Sequence, residues 1–299
     1  MSKLTFIAQL SLDYIFGNIK KLPESGEEVI ASTSDIQLGG GTLVYPIVLT
    51  KMGIDCKVIV KKSDSIQSDI AYKLLKAYAV KEIEIVKAVD FNPVMSTAVL
   101  SLESDRSFVS YNNEKAFLFD DAFLVDRLKN SKVVFALERN IDIMPKFKEN
   151  GSSIVFDIGW SDNLNIDRYK GILNYVDYFT PNDKEAMKMT KTESVEDSLL
   201  VLKKYVKYPI VSCGAQGCKT IVDGDILHVK APKNIKTVDT TGAGDHFMAG
   251  LIYGIYQDMS IESCMKMANC TGALSTTAYG CYGAEYVLED VLKLYNEMC

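Results

Sequence analysis

Short apolar runs rich in β-branched residues recur along the chain at Leu4–Ala8, Lys57–Val60, Glu82–Val86, Val133–Ala136, Ser153–Phe156, Tyr178–Thr180 and Ile210–Ser212. Each is bounded by turn residues, and segments of helical spacing separate several of them. The alternation predicts an α/β fold with a mostly parallel central sheet flanked by helices. Lys219–His228 reads differently, as a hairpin, because Asp223-Gly224 supplies the positive φ angles of a tight turn. Two further stretches break the wound pattern and predict strands apart from the main sheet: Gly26–Thr33, and Ser96–Leu102 with Arg106–Tyr111. Pro46 lies close enough to the start of the helix after Thr42 to cost no hydrogen bond. Repeats and low-complexity tracts are absent, so the reading is one domain over 1–299.

Composition narrows the function classes. The 299 residues are 47% hydrophobic and 24% charged, enough apolar material for a large core. A net charge of −6 and a pI near 5.2 argue against a nucleic-acid partner, which would need clustered Lys and Arg. The seven cysteines, Cys56, Cys213, Cys218, Cys264, Cys270, Cys281 and Cys299, are scattered with no C-x-x-C pair. That pattern indicates neither a disulfide framework nor a zinc site and suits reduced thiols in the cytoplasm. Cys213 is a candidate reactive thiol or a small buried hydrophobe. The run Leu4–Ala8 is too short for a signal peptide, and Met267–Ala284, although uncharged, is too rich in Asn, Thr, Ser and Gly for a membrane span.

The chemistry concentrates in Val238-Asp239-Thr240-Thr241-Gly242-Ala243-Gly244-Asp245, which runs into the apolar segment Phe247–Tyr253. Small residues at Gly242, Ala243 and Gly244 let backbone amides approach an anion, and a following helix adds unpaired N–H groups and the positive end of its dipole. Asp245 would then lie in the first helical turn, placed to accept a proton from a hydroxyl attacking a bound phosphoryl group. The same residues also read as an ordinary loop ending in an acidic first turn. There is no G-x-x-x-x-G-K-[ST] sequence, and Phe247 occupies the third glycine position of a dinucleotide fingerprint, so neither of those nucleotide motifs applies.

The octapeptide resembles the C-terminal signature of the ribokinase, or PfkB-type, carbohydrate kinase family. Gly39-Gly40-Gly41-Thr42-Leu43-Val44, with Lys51-Met52-Gly53 following, resembles the family's N-terminal Gly-Gly signature, Thr180–Ala186 its Asn-x-x-Glu motif, and Val211–Gly217 its nucleotide-side strand and turn. The resemblance spans the chain and implies a ribokinase-like fold with a small β lid formed by about 14–38 and 92–115. It implies an ATP-dependent kinase that transfers the γ-phosphoryl group to a primary alcohol of a sugar, with Mg²⁺ and, in some members, K⁺. Asp245 is then the base, the Gly242–Gly244 amides the anion hole, and Asp13, Gly40 and Gly41 the substrate contacts. Asn182, Gly214, Gly217 and Asn269 fall on the nucleotide side, Glu185 holds Mg²⁺ through water, and Asp239 is a candidate for the monovalent cation. Pairing of two lids into a homodimer is also implied by the resemblance.

Local alternatives stand beside these roles. Asn182 and Glu185, one turn apart, form an N-cap and capping-box pair as readily as a metal site. Asp239 and Asp13 are also turn residues, Gly214 and Gly217 turn formers, and Asn269 a solvent-facing helix position. Val44 departs from the family, many of whose sugar kinases carry Asn there, and Phe156-Asp157-Ile158-Gly159-Trp160-Ser161 lacks the Asp-x-Asn-x-Arg pattern of several sugar-acid and fructose kinases. The apolar neighbourhood of Leu43, Val44 and Tyr45 keeps two alternatives open: a nucleoside kinase, with Tyr14, Tyr45 or Tyr111 stacking on a base, and a non-catalytic binding protein on the same fold.

Overall fold

The structure, a computed structural model, describes residues 4–102, 106–159 and 161–298. Trp160, Cys299 and part of the expected lid, 103–105, lie outside the described residues.

The chain opens with β1 (Leu4–Ala8), β2 (Ser11–Gly17), β3 (Thr33–Leu38), α1 (Val44–Lys51), β4 (Cys56–Lys62), α2 (Ile66–Lys76) and β5 (Glu82–Lys87). It continues through β6 (Met95–Ser101), β7 (Arg106–Tyr111), α3 (Asp121–Leu128), β8 (Val133–Phe135), α4 (Met144–Glu149), β9 (Ser153–Phe156), α5 (Ile166–Leu173) and β10 (Tyr178–Phe179). The C-terminal third holds α6 (Asp183–Thr190), α7 (Val195–Leu202), β11 (Tyr208–Pro209), β12 (Val211–Ser212), β13 (Cys218–Val222), β14 (Asp225–Val229), α8 (Ala243–Tyr256), α9 (Ile261–Ser275) and α10 (Leu288–Glu297).

Two parallel ladders, β1-β4-β5 and β11-β10-β9-β8, lie side by side where β1 meets β8, and the antiparallel β12-β13-β14 extends the far end through an Asn182–Ser212 bridge. Successive side chains of β1 divide between the two faces: Leu4, Phe6 and Ala8 join a core with α1, α8 and α9, while Ile7 joins a second core with Leu124, Phe147 and Ile172 from α3, α4 and α5. A strand buried on both faces explains the unbroken apolar runs in the sequence. The β13–β14 hairpin turns at Asp223 (φ 52°) and Gly224 (φ 94°), as its sequence requires.

A separate sheet of order β3-β2-β6-β7 occupies the stretches from which a lid is expected. Its strands correct the sequence reading in two places. Gly26–Thr33 is not a strand: only Thr33 pairs, and the preceding segment turns at Gly26 (φ 84°) with Glu27 N bonded to Glu24 O and Ile30 77% exposed. An apolar residue with no neighbouring strand cannot hold an extended ladder. Secondly, Asp13 follows the first strand as expected, but its alternative as a turn residue falls, because it sits within β2, paired with Gln37 of β3 and Thr97 of β6. β6 and β7 fall within 92–115, while β2 begins at Ser11, three residues before the expected bound.

Candidate functional site

Three stretches far apart in sequence converge at the N-terminus of α8. Gly242 caps this helix in the left-handed region (φ 76°, ψ 1°), and a Cβ there would stand 2.3 Å from Cys281 Sγ, so shape and conformation both demand glycine. Ala243 N donates to Thr240 O at 3.1 Å. Of the three amides expected to form the anion hole, that one is therefore committed to shaping the loop, leaving Gly242 and Gly244. A Cβ at Gly244 would meet nothing within 4 Å, so the space over it is open to a ligand.

Asp245 lies in the first turn of α8, and its Oδ2 accepts a hydrogen bond from Gly41 N at 2.9 Å. That bond joins the glycine loop after β3 to the helix. A Cβ at Gly39 would stand 2.6 Å from Asp13 Oδ1, and one at Gly40 would stand 3.0 Å from Asp245 Oδ2. The loop thus lies between the two carboxylates and must be free of side chains to do so. Burial raises both carboxyls to about 6, partly offset at Asp245 by the Gly41 amide.

The segment after α9 ties this arrangement together. Tyr282 OH donates to Gly39 O at 3.1 Å, Gly280 N donates to Asp239 Oδ2 at 2.6 Å, and Asp239 Oδ1 accepts from Thr241 N at 2.8 Å. His246, buried on α8, pairs its Nε2 with Cys281 O at 2.8 Å and its Nδ1 with the Tyr286 hydroxyl. Burial lowers the imidazole to about 4, so it is neutral at physiological pH. Asp239, buried with both oxygens on amides, plays the loop-closing role that its sequence alternative described. His246, Cys281, Tyr282 and Tyr286 carried no motif and escaped sequence reasoning; only their tertiary placement reveals them.

A cavity of about 380 Å³ opens beside Asp245 and Gly41. Its walls are Tyr45, Phe117, Phe135, Phe156 and Tyr169 on the apolar side, and Asp157 and Gly159 at the end of β9. It lies at the C-terminal ends of parallel strands β8 and β9, the place where open α/β sheets take ligands. Asp157 likewise escapes sequence reasoning, which meets it only inside a pattern that the chain lacks. Its carboxyl is held well above the usual range, first by burial and then by the charges of Glu185 and Asp245. Of the three tyrosines weighed for stacking, Tyr45 borders this cavity, whereas Tyr111 is 52% exposed on the lid and Tyr14 packs at the edge of the core. A larger cavity, about 510 Å³, opens at Ser63–Ser65 and Lys87–Asn92 and borders none of these groups.

Asn182 and Glu185 form a reciprocal capping box at the start of α6, with Asn182 Oδ1 accepting from Glu185 N and Glu185 Oε2 from Asn182 N, each at 2.9 Å. Burial raises the Glu185 carboxyl even so. On the nucleotide side, Gly217 (φ 91°) packs so closely on the end of β14 that a Cβ would stand 2.1 Å from Val229 O, whereas Gly214 (φ 53°) has nothing within 4 Å. Asn269 does not face solvent: it is buried, and its Nδ2 donates to Val229 O (2.9 Å) and Lys230 O (3.1 Å). The turn at Gly214–Gly217, the end of β14 and α9 are thereby fixed to one another. Cys213, beside the turn, is half-buried with its thiol pushed up by desolvation, and like Cys218, Cys264, Cys270 and Cys281 it forms no disulfide. No helix of the described residues is long and apolar enough to cross a membrane.

Residues 90–286 match the model of the pfkB family carbohydrate kinases. The chain is 24% identical over 308 residues to a ribokinase of Lactococcus lactis, covering 100% of this chain and 98% of that one. It is 25% identical over 283 residues to fructokinase-1 of Oryza sativa, covering 86% and 87%. Among solved structures, Arabidopsis thaliana ribokinase complexed with ribose and ATP superposes with a TM-score of 0.82 at 21% identity over 98% of both chains. This protein belongs to the pfkB family of carbohydrate kinases and is a ribokinase-fold sugar kinase, a phosphotransferase with an alcohol group as acceptor.

Proposed function

We propose that the protein transfers the γ-phosphoryl group of ATP to the primary alcohol of a sugar bound in the Asp245 cavity. The observation that carries this reading is the juxtaposition of a carboxylate raised to about 6, Asp245, with the open amide loop at Gly242 and Gly244 on one side and the glycine loop at Gly40 and Gly41 on the other. A base needs a pKa close to the working pH and a position within reach of the hydroxyl proton. Here a substrate hydroxyl would take the place of the Gly41 amide on Asp245 Oδ2. Asp13, on β2, would accept further hydroxyls across the same loop. Preorganised amides at the start of α8 would stabilise charge on the transferring group, and the lid would exclude water.

The charges of Glu185 and Asp245 both act on Asp157, with no basic group among the causes of its shift; among the described residues no three such side chains come close enough to cage a metal, so a divalent cation there would keep much of its water. Glu185 and Asp157 are the residues that would hold Mg²⁺ or its waters. When bound, the ion would neutralise phosphate charge. Asp239, with both oxygens already on amides, would shape a loop whose carbonyls hold K⁺. Gly214, Gly217 and Asn269 would build the wall against which the nucleotide lies. The exposed Phe16, Phe108 and Val109 of the lid support a homodimer through that sheet, and the free thiols support work in the cytoplasm.

The aromatic walls contributed by Tyr45, Phe117 and Phe156 favour a second reading, a nucleoside acceptor whose base lies among them. Nucleotide consumption with ATP and Mg²⁺ against a panel of sugars, sugar phosphates and nucleosides, with and without K⁺ and with Asp245→Asn as blank, separates the readings. Turnover of sugars alone supports the first and of nucleosides the second. Binding without turnover on the whole panel leaves a ligand-binding protein.

A further inference from the structure

The C-terminal end of β4 carries a buried cation. Lys61 is only 9% exposed. Among the described residues, no carboxylate pairs with its ammonium, which donates instead to Lys115 O at 2.9 Å and to Leu118 O. It also stands 4.6 Å from the ring centre of Phe119 and 5.6 Å from that of Phe91. Burial lowers its pKa without an opposing charge. Burying an ammonium costs several kcal/mol unless its donors are matched, so carbonyl partners this well placed are a specific device.

Both carbonyls belong to the short 3-10 turn Glu114–Phe117 and its cap, through which the chain leaves β7 of the lid on its way to α3. Phe117, inside that turn, is a wall of the cavity beside Asp245. The neighbouring strand end holds the same segment: Gln9, one residue past β1, donates from Nε2 to Asn112 Oδ1 and to Pro93 O, each at 2.9 Å. The ends of adjacent strands β1 and β4 thus grip the lid's return path at 112, 115 and 118.

We propose that Lys61 is a positioning residue for the acceptor: it pins the return turn so that Phe117 stands as a fixed wall of the cavity, and so sets affinity for the acceptor and not for the nucleotide. The proposal rests on the reading of the Asp245 cavity as the acceptor site. Lys61→Met keeps the length and apolar stem but removes the donors, leaving Leu118 O without its ammonium and Lys115 O with only the Leu118 amide at 3.2 Å, while Lys61→Arg keeps charge and donors.

The test measures steady-state kinetics of both variants with the acceptor the wild type uses best, together with amide hydrogen exchange over 112–119. In Lys61→Met, exchange in that segment rises about tenfold or more while α8 and α9 are unchanged. Acceptor KM rises about tenfold, with kcat and ATP KM within about twofold, and Lys61→Arg restores most of the loss. Unchanged exchange over 112–119 overturns the proposal, as does an unchanged acceptor KM or an equal rise in both KM values. Should the wild type phosphorylate no acceptor, the affinity claim falls with the functional reading, and exchange alone then decides whether Lys61 pins the turn.

Discussion

Two glycine turns belong to the expected site, and each pairs a glycine closed in by neighbouring atoms with one that has nothing against it. In the loop before α8, Gly242 is closed in by Cys281 and has a left-handed backbone, while Gly244 looks onto empty space. In the turn expected on the nucleotide side, Gly217 presses on the backbone of Val229 to Ala231, while Gly214 has no atom against it but is held to glycine by its left-handed backbone (φ 53°). The enclosed glycines shape the chain, and the open ones leave room that no protein atom uses. Substitution should therefore separate folding from function within a few residues in the loop before α8, where Gly244 has neither a neighbour nor a left-handed backbone.

The largest effect belongs to the carboxylate beside the first loop. Asp245→Asn keeps an oxygen that can accept the Gly41 amide but cannot take a proton, and kcat should fall on the order of 10²–10⁴-fold with nucleotide binding intact. Stopped-flow nucleotide binding alongside turnover would test it, and a variant retaining a tenth of wild-type kcat would remove Asp245 from the role of base.

Next come the glycines themselves. Gly242→Ala and Gly217→Ala should each lose roughly 2–4 kcal/mol of stability, from strained backbone and forced contact together. Gly244→Ala should change stability by less than about 1 kcal/mol, since alanine suits a helix, yet lower kcat/KM about tenfold or more by intruding on the transferring group. Denaturant midpoints and kinetics on the same preparations would check the contrast, and equal stability losses at Gly242 and Gly244 would dissolve it.

The asymmetry between enclosed and open positions also explains what could be read in advance. Strand runs such as Leu4–Ala8 and the Asp223-Gly224 turn were legible because burial on both faces and turn chemistry leave local marks. The Gly242–Asp245 loop was legible because its small residues precede an apolar helix. Gly26–Thr33 misled because its β-branched pair Val29-Ile30 has no partner strand, and pairing is a property of the neighbour. Asp157, His246, Cys281 and Tyr282 were passed over for a related reason: each acts through contact with segments up to 243 positions away, and no periodicity records that. The commitment of Ala243 N to Thr240 O likewise depends on the fine shape of the turn.

A smaller effect concerns pH. Asp13 and Asp245 have folded-state values near 6, above the ordinary 3.8. Between those values the folded protein binds more protons than the unfolded chain, so these two groups contribute stability at low pH that is lost as pH rises from 3.8 to about 6. Activity runs the other way, because a base must be ionised: kcat/KM should fall about tenfold per pH unit below about 6. Asp245→Asn should therefore be more stable than the wild type at pH 8 and lose that advantage near pH 4. Thermal midpoints of both proteins at the two pH values would show it, and a difference independent of pH would mean that the Asp245 carboxyl is not raised by folding.

The smallest effect sharpens the comparison most, because it leaves every glycine in place. Tyr282 reaches from the C-terminal segment to the carbonyl of Gly39, on the acceptor side, and makes no contact of this kind with the nucleotide turn. Tyr282→Phe keeps the buried ring, packed 4.9 Å from Tyr78, and removes only the hydroxyl. Leaving one buried carbonyl without its donor costs about 1 kcal/mol. If that bond serves to hold Gly39–Gly41 between Asp13 and Asp245, the loss should appear as an acceptor KM raised about fivefold with ATP KM unchanged. If the two KM values rise together, the C-terminal segment braces the whole cleft, and the division between an acceptor end and a nucleotide end does not extend to the residues behind the glycines.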